Sequence, residues 1–570
     1  MNDIRRTILW VVFGFSMVML WDQWQLHNGR KATFFPSPAQ QTAPAAVNTG
    51  VQPAVAATGV VATPTQAPAV AGQTAPAAPV LPKERFEVTT DVLKLTFDTE
   101  GGSLVRTEFL KYADMTDKTR NFVLLDDRAD RAYVAQTGLL AAAQGMVPNH
   151  KTVMKLVSGS PAFKDGQATM VVRFESPELG GVKLVKTYTV ERGSYVMAVK
   201  HEVVNNGAAA VSPQLYLRLV SDGSKPPGES SFYSTFTGPV VYTSAKKYQK
   251  VEFADIKKNQ VEIEKESSDG YVAMVQHYFA SAWILPDGVK RNLSMSADVV
   301  PPVADCCYQV TMIAPLESIA PGASKEVEAK FFGGPQVEKT LEALAPGLEL
   351  VKDYGWLTPL AKPLYWLLDQ LHGFIQNWGW SIVALVVLLK IVFYWLNAKA
   401  YASMAKMKAV NPKITEMRER LKDNPQQMQQ EMMRIYREEK VNPMGGCFPI
   451  LIQIPVFIAL YWVLLSSVEM RNAPWVLWIH DLSSPDPYYI LPLVMTATSL
   501  LQTALNPAPP DPMQAKMMWI MPLIFSVMFF FFPAGLVLYW ITNNILSIAQ
   551  QWLINIRMGV PPQFNLPKFR

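Results

Sequence analysis

At 570 residues the chain exceeds one ordinary domain, and 49% hydrophobic against 17% charged residues points away from a single soluble globule. That balance fits a membrane protein carrying a soluble portion. The net charge of +5 is small for this length, and three cysteines, two of them the adjacent Cys306 and Cys307, make no disulfide framework and read as free thiols.

The chain opens with Arg5 and Arg6 ahead of an apolar run over 7–21. A cleaved signal peptide and an uncleaved anchor both begin this way. No small-x-small site follows, because Asp22, Gln23, Trp24 and Gln25 come next, so residues 1–22 are expected to be an anchor with a cytoplasmic N-terminus. Residues 23–82, rich in Pro, Ala, Thr and Gln from 35 onward, bury too little surface to offset their ordering entropy and are expected to be a linker. From 83 to 346 the pattern changes to short alternating runs between turns. Runs at 92–97, 168–174, 183–190, 195–204, 214–220 and 272–284 read as strands, with turn signals at Gly101-Gly102, Arg192-Gly193-Ser194 and Asn205-Asn206-Gly207. A large antiparallel β-sandwich is expected, outside the cytoplasm because one membrane passage precedes it. His201-Glu202-Val203-Val204-Asn205 begins like a zinc-protease motif, but Asn205 replaces the second histidine and the stretch is a strand. There is no nucleophile elbow or phosphate loop, and the six histidines are scattered. No catalytic residue, cofactor or metal is expected, and the chain does not read as an enzyme.

Residues 347–380 place Leu364, Leu367, Leu368, Leu371 and Ile375 on one helical face, accompanied by Trp356, Trp366, Trp378 and Trp380. This suits an amphipathic helix in the outer membrane interface, the alternative being a helix packed on the β-domain. Apolar runs at 381–396, 447–468, 489–505, 517–532 and 536–554 then form a membrane core over 381–556, six spans with the anchor. Between the first two of these runs, the basic segment 397–446 reads as a cytoplasmic helical hairpin over 399–421 and 425–439. Asn411-Pro412, Asn424-Pro425 and Asn442-Pro443 punctuate it; Asn424 is a candidate N-cap, and Glu416/Arg420 and Arg434/Glu438 are supportive pairs. Its methionines offer a flexible apolar surface, which suits a docking face or a self-packed hairpin.

Within the spans, polar residues collect toward the cytoplasmic ends. Lys390, Gln453, Ser499 with Gln502, and Asn543, Asn544, Ser547, Gln550 and Gln551 lie at matching depth, whereas residues 529–533 and 536–538 on the outer side are apolar. A charge at a helix centre costs about 3 kcal/mol on insertion scales. Lys390 alone is within snorkelling reach of its helix end. Amides at the same depth on other spans favour a shared groove, wet from inside and sealed outside.

Several long motifs resemble one family. They are Ser403-Met404-Ala405-Lys406-Met407, Gln430-Glu431-Met432-Met433, the run 440–449 around Asn442-Pro443-Met444-Gly445-Gly446, Trp478-Ile479-His480-Asp481-Leu482, and the run 532–540 around Pro533-Ala534-Gly535. They closely resemble the Gram-negative branch of the YidC/Oxa/Alb membrane insertases, densely over 380–556. The resemblance implies a bacterial inner-membrane, multi-pass protein with both termini cytoplasmic and a periplasmic β-supersandwich. It implies insertion, folding and assembly of nascent membrane proteins, alone or with the Sec translocon. Lys390 stands where the family has a groove arginine, which keeps the charge and loses the bidentate fork. Val386 stands where a threonine is common. Ile454, Phe457, Met495 and Met528, with Tyr539 and Trp540, match positions proposed to form an apolar slide for substrate helices. The tail 557–570 carries only Lys568 and Arg570 after Gly559, so ribosome contact is left to the cytoplasmic loops. Sequence-specific nucleic-acid binding is not expected. A secondary transporter and a membrane-tethered carbohydrate-active envelope enzyme are the alternatives; neither an inverted repeat nor midplane helix breaks speak for the first.

Overall fold

A computed structural model of the chain describes residues 82–128, 130–141, 146–226, 235–297, 307–421, 424–439, 448–506, 512–559 and 564. The expected anchor, the linker up to 81, the end of the hairpin, Cys306, Cys447 and nearly all of the C-terminal tail lie outside the described residues.

Two nine-stranded antiparallel sheets form a β-sandwich. In the first, Gln214–Ser221 lies between Arg131–Leu140 and Tyr308–Pro315, so that Leu215 pairs with both Leu139 and Ala314. In the second, Val196–Asn205 lies between Val182–Glu191 and Ser324–Pro335. Strict alternation sends one face inward: Met170, Val172 and Phe174 of Thr169–Glu175 are buried between more exposed neighbours. Leu95, Leu215 and Val310 of the first sheet share one core with Val172, Val199 and Phe331 of the second. Buried polar groups tie the sheets together. Tyr133 Oη lies 2.6 Å from Ser281 Oγ, and Lys186 Nζ donates to the carbonyls of Gly101 (2.6 Å) and Thr137 (2.8 Å).

The apolar run 272–284 proves to be two strands, Tyr271–Val275 and Phe279–Ile284, paired through a turn at 276–278. Both strands are buried on both faces, because Leu341, Ala345, Leu348 and Val351 cover the side turned away from the sandwich core. A doubly buried hairpin has no alternation to mark its turn. Cys307 is disulfide-bonded, which corrects its reading as a free thiol.

The remainder is helical: α1 (Glu338–Leu344), α2 (Thr358–Ile375), α3 (Trp378–Val392), α4 (Tyr394–Arg420), α5 (Pro425–Glu438), α6 (Phe448–Ser466), α7 (Ile490–Leu505), α8 (Pro512–Phe529) and α9 (Ala534–Arg557). Among the described residues no single helix is both long and apolar enough to pass as a membrane span; α3 and α4 do so together, bent by 68°. That bend at Phe393 divides the run 381–396, so the apolar helix ends at Val392. Pro412 lies within α4 and does not end it. Asn424 caps α5 as expected, its Oδ1 accepting the Gln427 N–H at 3.2 Å. Arg434 meets Glu438 at 3.5 Å, whereas Arg420 faces Glu431 of α5 at 3.9 Å in place of Glu416.

Helix α2 buries Ala361, Leu364, Tyr365 and Leu368 against α3 and α6, and leaves Trp366 and Phe374 exposed. Trp378 and Trp380 belong to α3, which starts where Asn377 Oδ1 accepts the Trp380 N–H at 3.1 Å. Gly379 lies against Trp475, whose ring would stand 2.3 Å from an added Cβ.

One end of the helices meets the sandwich. His277 Nε2 donates to the Leu465 carbonyl at the end of α6 (2.9 Å). Arg471 donates to the Ala113 carbonyl (2.5 Å) and lies 5.2 Å from the rings of Tyr278 and Phe279. Fully buried Lys352 pairs with Glu469 at 3.2 Å over the Tyr365 ring, and Tyr365 donates its hydroxyl to the same carboxylate at 2.6 Å. Removing one member of a buried pair strands the other charge. Glu469→Ala should therefore destabilise the protein by about 3 kcal/mol in denaturant unfolding, and Lys352→Met with Glu469→Leu should recover most of that loss. Burial also pushes the His277 imidazole down to about 4 from 6.5. The neutral ring is the native form, so its contribution is complete above pH 6.5 and is lost as pH falls toward 4. The stability advantage of the wild type over His277→Gln should shrink by up to about 3 kcal/mol between pH 7 and pH 4, measured by unfolding at each pH.

Candidate functional site: a polar cavity among the helices

Helix α9 is the centre of the helical region, flanked by α3, α4, α6 and α7. Its first turns are apolar: Leu536, Val537, Leu538 and Ile541 are buried with Ile382, Leu385, Val386, Ala459, Leu460 and Val463. The loop between α6 and α7 closes over this end, with Asp486 accepting the Leu491 N–H (2.7 Å) and the Trp478 Nε1–H (3.0 Å). From Asn543 onward the same helix turns polar, and Asn543, Asn544, Ser547, Gln550 and Gln551 each find a partner on a neighbour. This is what an apolar surrounding demands of buried polar groups.

Gln453 of α6 donates to Asn543 Oδ1 at 2.9 Å, and Lys390 of α3 donates to Ser547 Oγ at 2.7 Å. Asn544 Nδ2 donates to Ser499 Oγ (2.9 Å) and Thr498 Oγ1 (3.3 Å) of α7. Two cavities lie among these groups. A cavity of about 260 Å³ is lined by Asn397, Tyr401, Gln453, Ile454, Phe457, Gln502, Asn506, Tyr539, Trp540, Asn543, Asn544 and Ser547. A smaller one of about 40 Å³ shares Asn397, Gln453, Tyr539 and Asn543 with it, and adds Lys390. Phe457 stacks on Tyr539 at 5.9 Å and meets Trp540 edge-on at 4.6 Å, so aromatic rings bound the larger cavity on its apolar side. The cavities lie toward the ends of α3, α7 and α9 that are remote from the sandwich.

Lys390, Gln453, Gln502, Asn543 and Asn544 are thus brought together. Gln550 and Gln551 are not among the lining residues: Gln550 donates to the Tyr394 carbonyl (3.3 Å), and Gln551 to Asn506 Oδ1 (3.2 Å) and the Leu505 carbonyl (3.4 Å). Both amides are buried between helices. Of the expected slide residues, Ile454 and Phe457 line the cavity with Tyr539 and Trp540. Met528 is exposed on α8, whereas Met495 is buried with its sulfur 3.3 Å from Ser499 Oγ. Val386, where the resemblance implies a threonine, is buried; the hydroxyl that Lys390 meets belongs to Ser547. Sequence reasoning passed over Asn397, Tyr401 and Asn506. The first two lie one turn apart at the start of α4, and closing the span at 396 placed them beyond it.

Comparison with known proteins accounts for nearly the whole chain. Residues 85–367 match the family model described as the YidC periplasmic domain, and residues 370–560 the model described as 60Kd inner membrane protein. Curated relatives named membrane protein insertase YidC from Cupriavidus necator, Cupriavidus taiwanensis and Cupriavidus metallidurans are 55%, 54% and 54% identical to it. Each alignment covers 98% of this chain and 98% of the relative. The chain therefore belongs to the YidC family of membrane protein insertases, inner-membrane proteins whose periplasmic domain is here the β-sandwich.

Proposed function

We propose that the chain inserts client proteins into the inner membrane through a one-ended polar groove. In this reading the bilayer lies across α3 and α6–α9, the sandwich is periplasmic, and the hairpin and both termini are cytoplasmic. With the N-terminal run the chain then has six spans.

The observation that carries the reading is the convergence of Lys390, Gln453, Gln502, Asn543 and Asn544, from four helices, around the two adjoining cavities. Water in such a pocket lowers the cost of drawing a short polar segment into the inner leaflet, a cost of about 3 kcal/mol per charge in hydrocarbon. Among the described residues Lys390 has a hydroxyl partner and no ion pair. Its charge is available to an acidic group on the client's external tail. The client's apolar helix then moves along Ile454, Phe457 and Met528 into lipid, where burial completes the step. Buried Met495 supports that wall from behind, and Gln550 and Gln551 frame the groove. The drive comes from partition energy and the membrane potential, ~2.3 kcal/mol per charge per 100 mV. Nascent membrane proteins, the Sec translocon, and the ribosome met through the cytoplasmic loops are the partners implied. The relatives' names favour neither the transporter nor the carbohydrate-active alternative.

In cells depleted of the native protein, Lys390→Ala should reduce insertion of a single-span client with a short acidic tail by roughly tenfold. Lys390→Arg should restore most of it. Unchanged insertion by Lys390→Ala, scored by protease protection of the tail, would sink the proposal.

A further inference from the structure

We infer that Ser547 is the positioning residue of the groove cation: its hydroxyl parks the Lys390 ammonium between the two cavities without neutralising it. The inference rests on the role proposed for Lys390. A lysine stem has four rotatable bonds, and Lys390 sits two residues before the end of α3. Left alone, it would extend toward the helix end and water. Ser547 gives it a reason to stay. The serine hydroxyl donates its own proton to the Asn543 carbonyl at 2.7 Å, so its lone pairs are what it offers Lys390, also at 2.7 Å. Tyr401, at the start of α4, lines the same cavity as Ser547.

The chemistry of this partner matters. A carboxylate at 547 would hold the ammonium in a charge-assisted bond that a client could not displace on favourable terms. An apolar side chain would release it. A neutral hydroxyl holds the cation at a set depth and yields it to a stronger acceptor, namely an aspartate or glutamate of a passing segment. Ser547 thereby sets selectivity for acidic external tails.

The full chain reconstituted in proteoliposomes allows a direct test with two single-span clients that differ only in an acidic or a neutral tail. The readout is the ratio of acidic-tail to neutral-tail insertion. Ser547→Ala should lower that ratio on the order of fivefold. Ser547→Thr, which keeps the hydroxyl, should restore it, and Ser547→Asp should lower it as far as Lys390→Ala does. A ratio in Ser547→Ala equal to the parent's, with Lys390→Ala still lowering it, would overturn the inference and leave the role of Lys390 standing. A ratio unmoved by Lys390→Ala would overturn both.

Discussion

The constraint on which the helical region depends is that a polar group buried among apolar helices must find its partner there. Helix α9 meets it with a stripe at 543, 544, 547, 550 and 551, a spacing that follows helical rows. Each neighbour supplies a different complement: Gln453 from α6, Lys390 from α3, Ser499 from α7 and Asn506 just after it, and the Tyr394 carbonyl from α4. Hydrogen bonds are directional, so these contacts fix the rotation of α9 in a way that aliphatic packing alone would not. The cavity is what remains between side chains that bond sideways to one another and leave the middle unfilled.

The two ends of the helical region differ for the same reason. At the sandwich end the surfaces are aliphatic and aromatic, and they close by area. The polar contacts there belong to the connections: Arg471 reaching the Ala113 carbonyl, Glu469 holding Lys352 and Tyr365, and Asp486 capping α7. These fasten the sandwich to the closed end. At the other end the helices run on into α4, whose Asn397 and Tyr401 line the larger cavity. A pocket closed by packing on one side and bounded by amides on the other is asymmetric by construction.

Much of this was legible in the residues. Alternation placed five of the six expected runs to within one residue of a strand, as at 214–220 against Gln214–Ser221, because half-exposed strands must alternate; most of the eighteen strands were not named one by one. It failed where both faces are covered: Tyr271–Val275 and Phe279–Ile284 read as one run because Gln276, His277 and Tyr278 carry no turn signal. The turn is held instead by a distant contact from His277 to Leu465, which no local pattern reveals. In the helices, apolar length located each run but not the bend at Phe393, after which α4 packs against α9. The amides of α9 were found by depth. Which of them line the cavity depends on where neighbouring helices close in, and that is set by partners far away in sequence. Gln550 and Gln551 share a face with Ser547, yet one turn farther along they meet the Tyr394 carbonyl and Asn506 and leave the cavity wall.

The cation itself shows why residue type matters beyond charge. A guanidinium offers five donors in a rigid plane and is best satisfied by acceptors arranged to match. The described surroundings of position 390 offer the Ser547 hydroxyl at 2.7 Å, the amides of Asn397, Gln453 and Asn543 along the smaller cavity, and apolar Val386, Leu389 and Phe393. An ammonium needs fewer matched acceptors: it spends one proton on Ser547 and has two more to donate. Because it is compact, it can turn from one acceptor to another by rotating about its own stem, with no backbone movement. The combination of Lys390 with Ser547 and a valine at 386 is therefore a consistent set, in which a hydroxyl on α9 holds the ammonium and no carboxylate among the described residues pairs with it.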